Sequence, residues 1–218
     1  MKTLVIVLLM GCCSFCNRIY NDDMYLISII ENVQNNNLKA VEADLKKGAE
    51  VNTTDNKKRS LLLLATQASN LEMAQLLVAH HADVNQQDDI LDSPFLYAGA
   101  TGQTALLKLY LQHGARFDVF NRYNGSALIP ACERGHVETV KLLATTKGFP
   151  IDHVNRLGWT GLLEAVILGD GTEKYQQIVR ILKEAGCNIH IADRNGVTSL
   201  QHAKSLGYKE IVRILESE

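Results

Sequence analysis

The sequence has few prolines and few aromatic residues, with three prolines and 6% Phe, Trp and Tyr among 218 residues. It contains no low-complexity run, and 46% apolar residues are typical of one folded domain. Neither sign of charge dominates, because 22 basic residues stand against 24 acidic ones. A nucleic-acid-binding surface carries an excess of basic residues, so we expect no nucleic-acid partner.

Motifs that carry chemistry are also missing. The segment Gly169-Asp170-Gly171 lacks the Gly-Lys-Ser/Thr end of a phosphate-binding loop, and we interpret it as a turn or, alternatively, a binding protrusion. Glu164 and Asp170 could be imagined as an acid pair, but we interpret them as a solvated helix end and a turn. We therefore predict that the protein is not an enzyme and has no cofactor.

Cysteine and histidine do not suggest a metal site. Cys132 and Cys187 stand where small buried residues are expected, and a redox role or a disulfide is the alternative interpretation. His80 and His81 are predicted to end a helix, where a cation complements the helix dipole and adjacent side chains point apart. We expect no metal ligand among these residues.

What the chain does contain is a repeated pattern. Residues 121–148 read as a polar turn, a short apolar helix, a break at Gly135-His136 and a second, amphipathic helix. The position that closes the second helix recurs at steps of 33, 33, 34 and 38 residues. It falls at Gly48, His81, Gly114, Gly148 and Gly186. Steps near 33 with two helices per unit indicate a helical repeat protein.

A second set of positions keeps the same step. Seven residues after each closing position stands an Asp or Asn, at Asp55, Asp88, Asn121, Asn155 and Asp193. Five residues later follows a Ser or Thr, at Ser60, Ser93, Ser126, Thr160 and Thr198. We predict that each of these hydroxyl groups caps the helix that follows it.

Three motifs link this pattern to a known family. They are Gly158-Trp159-Thr160-Gly161-Leu162, Gly135-His136-Val137-Glu138 and His81-Ala82-Asp83-Val84-Asn85. With them, residues 22–218 resemble the ankyrin repeat family, and more narrowly its small bacterial envelope members. The resemblance implies an all-α solenoid of about six helix-turn-helix repeats with β-turn tips, in which the terminal repeats act as caps. In the family, a histidine follows the leucine that ends the first of these motifs, which is Leu162 here. This histidine is absent from every repeat of the chain, so apolar packing must replace its hydrogen bonds.

The predicted repeats are 22–54, 55–87, 88–120, 121–154, 155–192 and 193–218. The first helix is expected to begin near Met24, after a tether over residues 17–21. In the fifth repeat, we take Lys174 as the break between the two helices. Its distance along the chain from Ala165 is five residues longer than the equivalent distance in the other repeats. We therefore expect an insertion within 169–174.

Residues 1–16 differ from the repeats. Lys2 precedes a short apolar run that is typical of an export signal and too short to span a bilayer. Leu9-Met10-Gly11-Cys12 resembles the bacterial lipobox, so we predict that Cys12 is lipidated, and Cys13 after it implies the outer membrane. The alternatives are cleavage to a soluble periplasmic or secreted form, and a buried first helix with incidental cysteines.

The resemblance implies that a partner protein binds the concave face formed by the turn tips and first helices. Arg122, Arg156 and Arg194 take the same place in three tips and should form a ladder. The alternative is that they are solvated and pair with carboxylates such as Asp152 or Asp193.

The only Trp, Trp159, lies beside this ladder, and aromatic residues and Arg dominate interface energies. Alternatively, Trp159 packs on its own loop. The predicted partner-binding residues are Arg122, Tyr123, Glu133, Arg134, Arg156, Leu157, Trp159, Ile167, Leu168, Arg194, Asn195 and Val197.

Together these features predict a non-catalytic, monomeric interaction module that holds a partner protein in the bacterial cell envelope and touches the membrane only through its lipid anchor. Some bacterial members of the family are associated with protection against peroxide through catalase, which implies a stress-protection context by resemblance alone. The alternative is an exported effector that binds a host protein. A lipid anchor argues against that alternative, because it would retain the protein.

Overall fold

The computed structural model describes residues 29–217, which form twelve helices and no β-strand within that range. The first helix, α1, is described over residues 29–34. The others are α2 (Leu38–Lys46), α3 (Leu61–Gln67), α4 (Leu71–Ala79), α5 (Pro94–Ala100), α6 (Thr104–Gln112), α7 (Leu128–Glu133), α8 (Val137–Ala144), α9 (Gly161–Ile167), α10 (Glu173–Glu184), α11 (Ser199–Leu206) and α12 (Lys209–Glu216). The predicted all-α solenoid of paired helices is confirmed. The predicted export signal, Cys12, the tether and the start of α1 lie outside the described residues.

None of the helices within residues 29–217 is long and apolar enough to cross a bilayer. Their buried apolar residues form one continuous cluster that runs from Ile29 to Leu215. Each repeat therefore buries its apolar face on its neighbours, which is how a solenoid shares its stability along the array. The third and fourth repeats approach closely at Gly99, where a Cβ atom would lie 2.7 Å from the Cβ atom of Ala127.

The recurring closing positions are left-handed backbone positions. All five have positive φ, from 66° at His81 to 96° at Gly48. A second left-handed residue separates the two helices of each repeat. These residues are Asn36, Ser69, Gly102, Gly135, Gly171 and Gly207. The steps read from the sequence are thus set by places where the backbone must leave the helix, which glycine and asparagine do at low cost.

Four of the five predicted helix caps are confirmed. The hydroxyl oxygens of Ser60, Ser93, Thr160 and Thr198 each accept a hydrogen bond from the backbone N–H three residues later, at 3.1 to 3.4 Å. The prediction for Ser126 is wrong, because its buried hydroxyl group has no hydrogen-bond partner among the described residues.

The cause is Pro130, four residues after Ser126. In the other repeats, the residue at this place donates its backbone N–H to the carbonyl oxygen of the cap, as Glu164 does to Thr160 at 3.0 Å. Proline has no N–H, so the first turn of α7 cannot close in this way. The helix instead begins at Leu128, two residues after Ser126.

The insertion in the fifth repeat is divided between a loop and a helix. The break between α9 and α10 is at Gly171, with φ 71°, and not at Lys174, which lies inside α10. Two of the extra residues therefore lengthen the loop, and the other three lengthen α10, which has 12 residues. The Tyr208 hydroxyl group donates to the Gly169 carbonyl oxygen at 3.0 Å and so ties this loop to the last repeat.

Hydrogen bonds from backbone N–H groups to side-chain oxygens join the repeats at the turn that follows each second helix. Asn52, Asn85 and Asp152 each accept the N–H of a residue in the next repeat at 2.8 Å, and the donors are Asp83, Arg116 and Asn188. The equivalent residue in the fourth repeat is Pro150, which has no N–H to donate.

At this junction between the third and fourth repeats, aromatic contacts stand where the hydrogen bond is missing. The ring of Phe117 lies 5.0 Å from that of Phe149, and Phe120 stacks on His153 at 4.1 Å. Within residues 29–217, no backbone N–H group of either repeat donates across the junction.

The two serines at positions 93 and 126 provide a matched test of the capping analysis. Ser93→Ala should lower the free energy of unfolding by about 1 kcal/mol, because it removes a formed cap. Ser126→Ala should leave the free energy of unfolding unchanged or raise it, because that hydroxyl group is buried without a partner. Urea denaturation of both variants beside wild type measures the difference, and equal losses would contradict the assignment.

Candidate functional site

Each of the five repeat tips within residues 29–217 is built by one side-chain oxygen. Asn121 Oδ1 accepts the backbone N–H groups of Tyr123 and Gly125, both at 2.9 Å, and Asn155 Oδ1 accepts those of Leu157 and Trp159 at 2.9 and 3.1 Å. The same paired acceptance occurs at Asp55, Asp88 and Asp193. The two residues that follow each Asp or Asn are thereby held at the outside of a tight turn.

An apolar stripe runs across three successive tips. It consists of Ile90, Tyr123 and Leu157, the second residue after the Asp or Asn in each tip, and they are 53%, 53% and 51% exposed. We call these three residues the tip stripe. Large apolar side chains rarely stand so exposed in register unless a partner covers them.

The arginines form a ladder beside the tip stripe. Arg156 Nη1 donates to the Arg122 carbonyl oxygen at 2.9 Å, and Arg194 donates to the Arg156 carbonyl oxygen. Arg122 lies 4.9 Å over the ring of Tyr123 and 3.8 Å from the carboxylate of Asp92. The alternative is borne out in part, since all three arginines are exposed and Arg122 pairs with Asp92, but within residues 29–217 none of them pairs with Asp152 or Asp193. Asp152 instead accepts the N–H of Asn188, and Asp193 pairs with His202.

A cleft of about 400 Å³ opens between the fourth and fifth repeats. Six of the predicted partner-binding residues line it: Arg122, Tyr123, Glu133, Arg134, Leu157 and Leu168. Six residues that the sequence reasoning did not select also line it: Asn121, Gly125, Ile129, Pro130, Asn155 and Glu164. Pro130, one of the lining residues, stands where the other repeats carry Leu64, Tyr97, Glu164 or His202.

The other predicted residues lie outside the cleft. Arg156, Arg194 and Asn195 are exposed on the tips, whereas Trp159, Ile167 and Val197 are partly buried. Their part in partner binding stays a prediction.

The structure contradicts the prediction that Glu164 is a solvated helix end, because this side chain is only 5% exposed. Asn155 Nδ2 donates to Glu164 Oε1 at 2.7 Å. Burial and the negative charge of Glu133 raise the pKa of Glu164 to about 7, although the Asn155 hydrogen bond and Arg134 act in the opposite direction.

In two repeats, the Asp or Asn of the tip also forms a hydrogen bond to the first helix of its repeat. Asn155 holds the tip with its oxygen and the first helix with its nitrogen. In the sixth repeat Asp193 does the same, because its Oδ2 lies 2.8 Å from His202 Nε2. A polar residue nine positions after the tip Asp or Asn is the sequence signal that could have identified both pairs.

Asp170 does not share a site with Glu164. It is exposed, and its Oδ1 accepts both the N–H and the hydroxyl group of Thr172, at 3.0 and 2.6 Å. The hydrogen bonds from Thr172 lower the pKa of Asp170 below its usual value. Asp170 therefore belongs to the turn before α10, as predicted.

The two cysteines of the described chain are buried and free, which confirms the prediction of burial. Burial raises the pKa of the Cys187 thiol to about 12 and that of Cys132 well above its usual value. His80 follows α4 and His81 is left-handed, so both end a helix. Over residues 29–217, no three His, Cys, Asp or Glu side chains come together in a way that could hold a metal ion.

Comparison with known proteins gives one consistent result. The family model for ankyrin repeats matches three overlapping stretches, residues 29–121, 95–193 and 131–218. The putative ankyrin repeat protein YahD of Escherichia coli K12 is 34% identical over 182 residues, which cover 84% of this chain and 90% of YahD.

Two solved structures share the fold at a TM-score of 0.83. One is an ankyrin repeat domain from Acinetobacter baumannii AYE, 46% identical, with 86% of this chain and 95% of that domain covered. The other is the ankyrin repeat protein EF0377, 39% identical, with 86% of this chain and 96% of that protein covered.

Glu164→Gln should stabilise the protein at neutral pH. Since the pKa of Glu164 is about 7 in the folded protein against an ordinary value of 4.5, ionisation destabilises the fold as pH rises through this window. The advantage of the variant should therefore grow between pH 4.5 and about 7. We expect a gain on the order of 1–2 kcal/mol, because water in the cleft screens part of the effect.

Urea denaturation across this pH range measures the gain. Glu184→Gln, at an exposed position of α10, controls for the loss of one carboxylate. A Glu164→Gln advantage that does not change with pH would contradict the assignment.

Proposed function

Because this chain belongs to the ankyrin repeat family, whose repeats are protein–protein interaction modules, we propose that it binds a partner protein on the surface formed by its tips and first helices. The binding is non-catalytic, and the protein acts as a monomer. The observation that carries the proposal is the exposed tip stripe beside the cleft between the fourth and fifth repeats.

The chemistry of this surface suits a polypeptide partner. Tyr123 and Leu157 expose apolar side chains at the cleft, with Leu168 at 46% exposure opposite them. Arg122 and Arg134 add planar guanidinium groups at the rim. Interfaces concentrate their binding energy in aromatic and Arg side chains of this kind, surrounded by polar residues that exclude water.

The proposal places this interaction in the bacterial cell envelope. It rests on the export signal and on the lipobox-like segment that ends at Cys12, both of which lie outside the described residues. A lipid on Cys12 would hold the repeats at the outer membrane and leave the tips free for a partner. A stress-protection context rests on the family resemblance alone, and an exported effector that binds a host protein is the competing proposal.

Partner capture should depend on the tip stripe. We expect Tyr123→Ala combined with Leu157→Ala to reduce crosslinked partner at least about tenfold relative to wild type, because two exposed anchors are lost. In-cell crosslinking followed by pull-down from the envelope fraction measures the yield. Leu71→Ala, at a 37% exposed position on α4 away from the tips, is the control and should retain the partner. Equal capture by the double variant would move the interface elsewhere.

Lipidation decides between the envelope and effector proposals. Cells grown with an alkyne fatty acid should label the wild-type protein, and Cys12→Ser should abolish the label and shift the protein from the membrane fraction to a soluble one. Cys132→Ser controls for the loss of a cysteine. An unlabelled wild-type protein in the culture medium would favour the effector proposal.

A further inference from the structure

We propose that the cleft between the fourth and fifth repeats binds a lysine or arginine side chain of the partner, with Glu164 and Glu133 as its acceptors and the tip stripe against its methylene groups. This inference rests on the proposed function, because it names the chemistry of the partner segment. It does not depend on the envelope location.

The first argument is an unsatisfied oxygen. Glu164 Oε1 accepts the hydrogen bond from Asn155, but no residue within 29–217 donates to Oε2. The side chain is 5% exposed and lines the cleft, so Oε2 can meet only the water or the ligand that enters the cleft. A buried carboxylate without full compensation is costly, and a cation that enters the cleft would relieve that cost.

The second argument is that the neighbouring cations are turned to other partners. Arg134 Nη1 donates to the Ala100 carbonyl oxygen in the third repeat at 2.7 Å. Arg122 faces Asp92 of the third repeat and the ring of Tyr123. Both arginines therefore line the cleft with a partner in the third repeat already in place, and the pKa of Glu164 remains raised despite the charge of Arg134.

The third argument is the shape and polarity of the walls. Tyr123 and Leu157 of the tip stripe, together with Ile129 and Leu168, give the cleft apolar sides. A lysine or arginine side chain has an apolar stem and a charged end, so it matches apolar walls with carboxylates between them. Arg122 and Arg134 also line the cleft but already contact Asp92 and the Ala100 carbonyl oxygen, so Glu133 and Glu164 are the charges left for a ligand, and the described residues do not gather a third metal-ligating side chain there.

This arrangement makes binding depend on pH. A cation needs the ionised form of Glu164, whose pKa is about 7 in the free protein. The titratable groups that bear on Glu164 are Glu133 and Arg134 from the end of α7 and the buried Cys132 thiol, whose own pKa is well above its usual value, with Asn155 as its hydrogen-bond donor. Affinity for a basic segment should therefore rise between pH 6 and pH 8.

The test is a selection of random 12-residue peptides displayed on phage against the purified protein at pH 8. The same library is selected against Glu164→Gln, against Tyr123→Ala combined with Leu157→Ala, and against Glu138→Gln. The Glu164→Gln variant keeps a side-chain oxygen that can accept the Asn155 hydrogen bond, so it should fold, and thermal melting checks that it does. Glu138 is an exposed carboxylate on α8 and is the matched control.

We expect wild type and Glu138→Gln to select peptides with a Lys or Arg at a fixed place among apolar residues. Synthetic copies should bind Glu164→Gln at least about tenfold more weakly than wild type. Their affinity should rise from pH 6 to pH 8 for wild type and Glu138→Gln, and it should stay constant for Glu164→Gln.

The failures of the two proposals are distinguishable. Selected peptides that need the tip stripe but contain no fixed basic residue, or that bind Glu164→Gln as well as wild type, would overturn the inference and keep the proposed interface. Peptides that are indifferent to the tip-stripe variant, or no enrichment at all, would count against both.

Discussion

One hydrogen-bonding arrangement organises the whole array, namely the single Asp or Asn oxygen that accepts two backbone N–H groups in each tip. With Asn155, this arrangement fixes the turn that exposes Leu157, and the nitrogen of the same side chain holds Glu164 on the first helix. In the fifth and sixth repeats, the tip and the first helix are thus held by one residue, Asn155 or Asp193. The tip stripe and the arginine ladder are consequences of that repetition, because equivalent positions in successive turns fall in line.

The fold could be predicted from the sequence because its determinants are local. Left-handed positions such as Gly48 and Gly186, and caps such as Ser93, act within a few residues of themselves. Two predictions, the cap at Ser126 and the helix break at Lys174, are wrong because another nearby residue determines the backbone conformation. Ser126 satisfied the capping pattern, yet the missing N–H of Pro130 prevents the helix from starting there. Counting along the repeat puts the break at Lys174, whereas Gly171 makes the break because it adopts the left-handed backbone that the turn requires.

The site was less predictable, since it depends on contacts between repeats. The exposure of Tyr123 and Leu157 follows from their place in the turn, and counting along the repeat was enough to select them. The burial of Glu164 does not follow from its own repeat. It results from the packing of α9 against its neighbours, and the cleft beside it is lined by residues of the fourth repeat, among them Pro130. A pattern within one repeat cannot report the space that two repeats leave between them.

The proline at position 150 has a consequence for how the molecule responds to a ligand. A linear array is stabilised by unit and nearest-neighbour terms, and cooperativity is weakest where a neighbour term is reduced. With no backbone N–H donor across the third and fourth repeats among the described residues, this junction is held by side-chain contacts, among them Phe117–Phe149 and the Arg134 hydrogen bond to the Ala100 carbonyl oxygen. The residues that line the cleft all lie in the fourth and fifth repeats, and two of them, Arg122 and Arg134, make polar contacts with the third repeat. A ligand in the cleft therefore acts on the third repeat through these two arginine side chains.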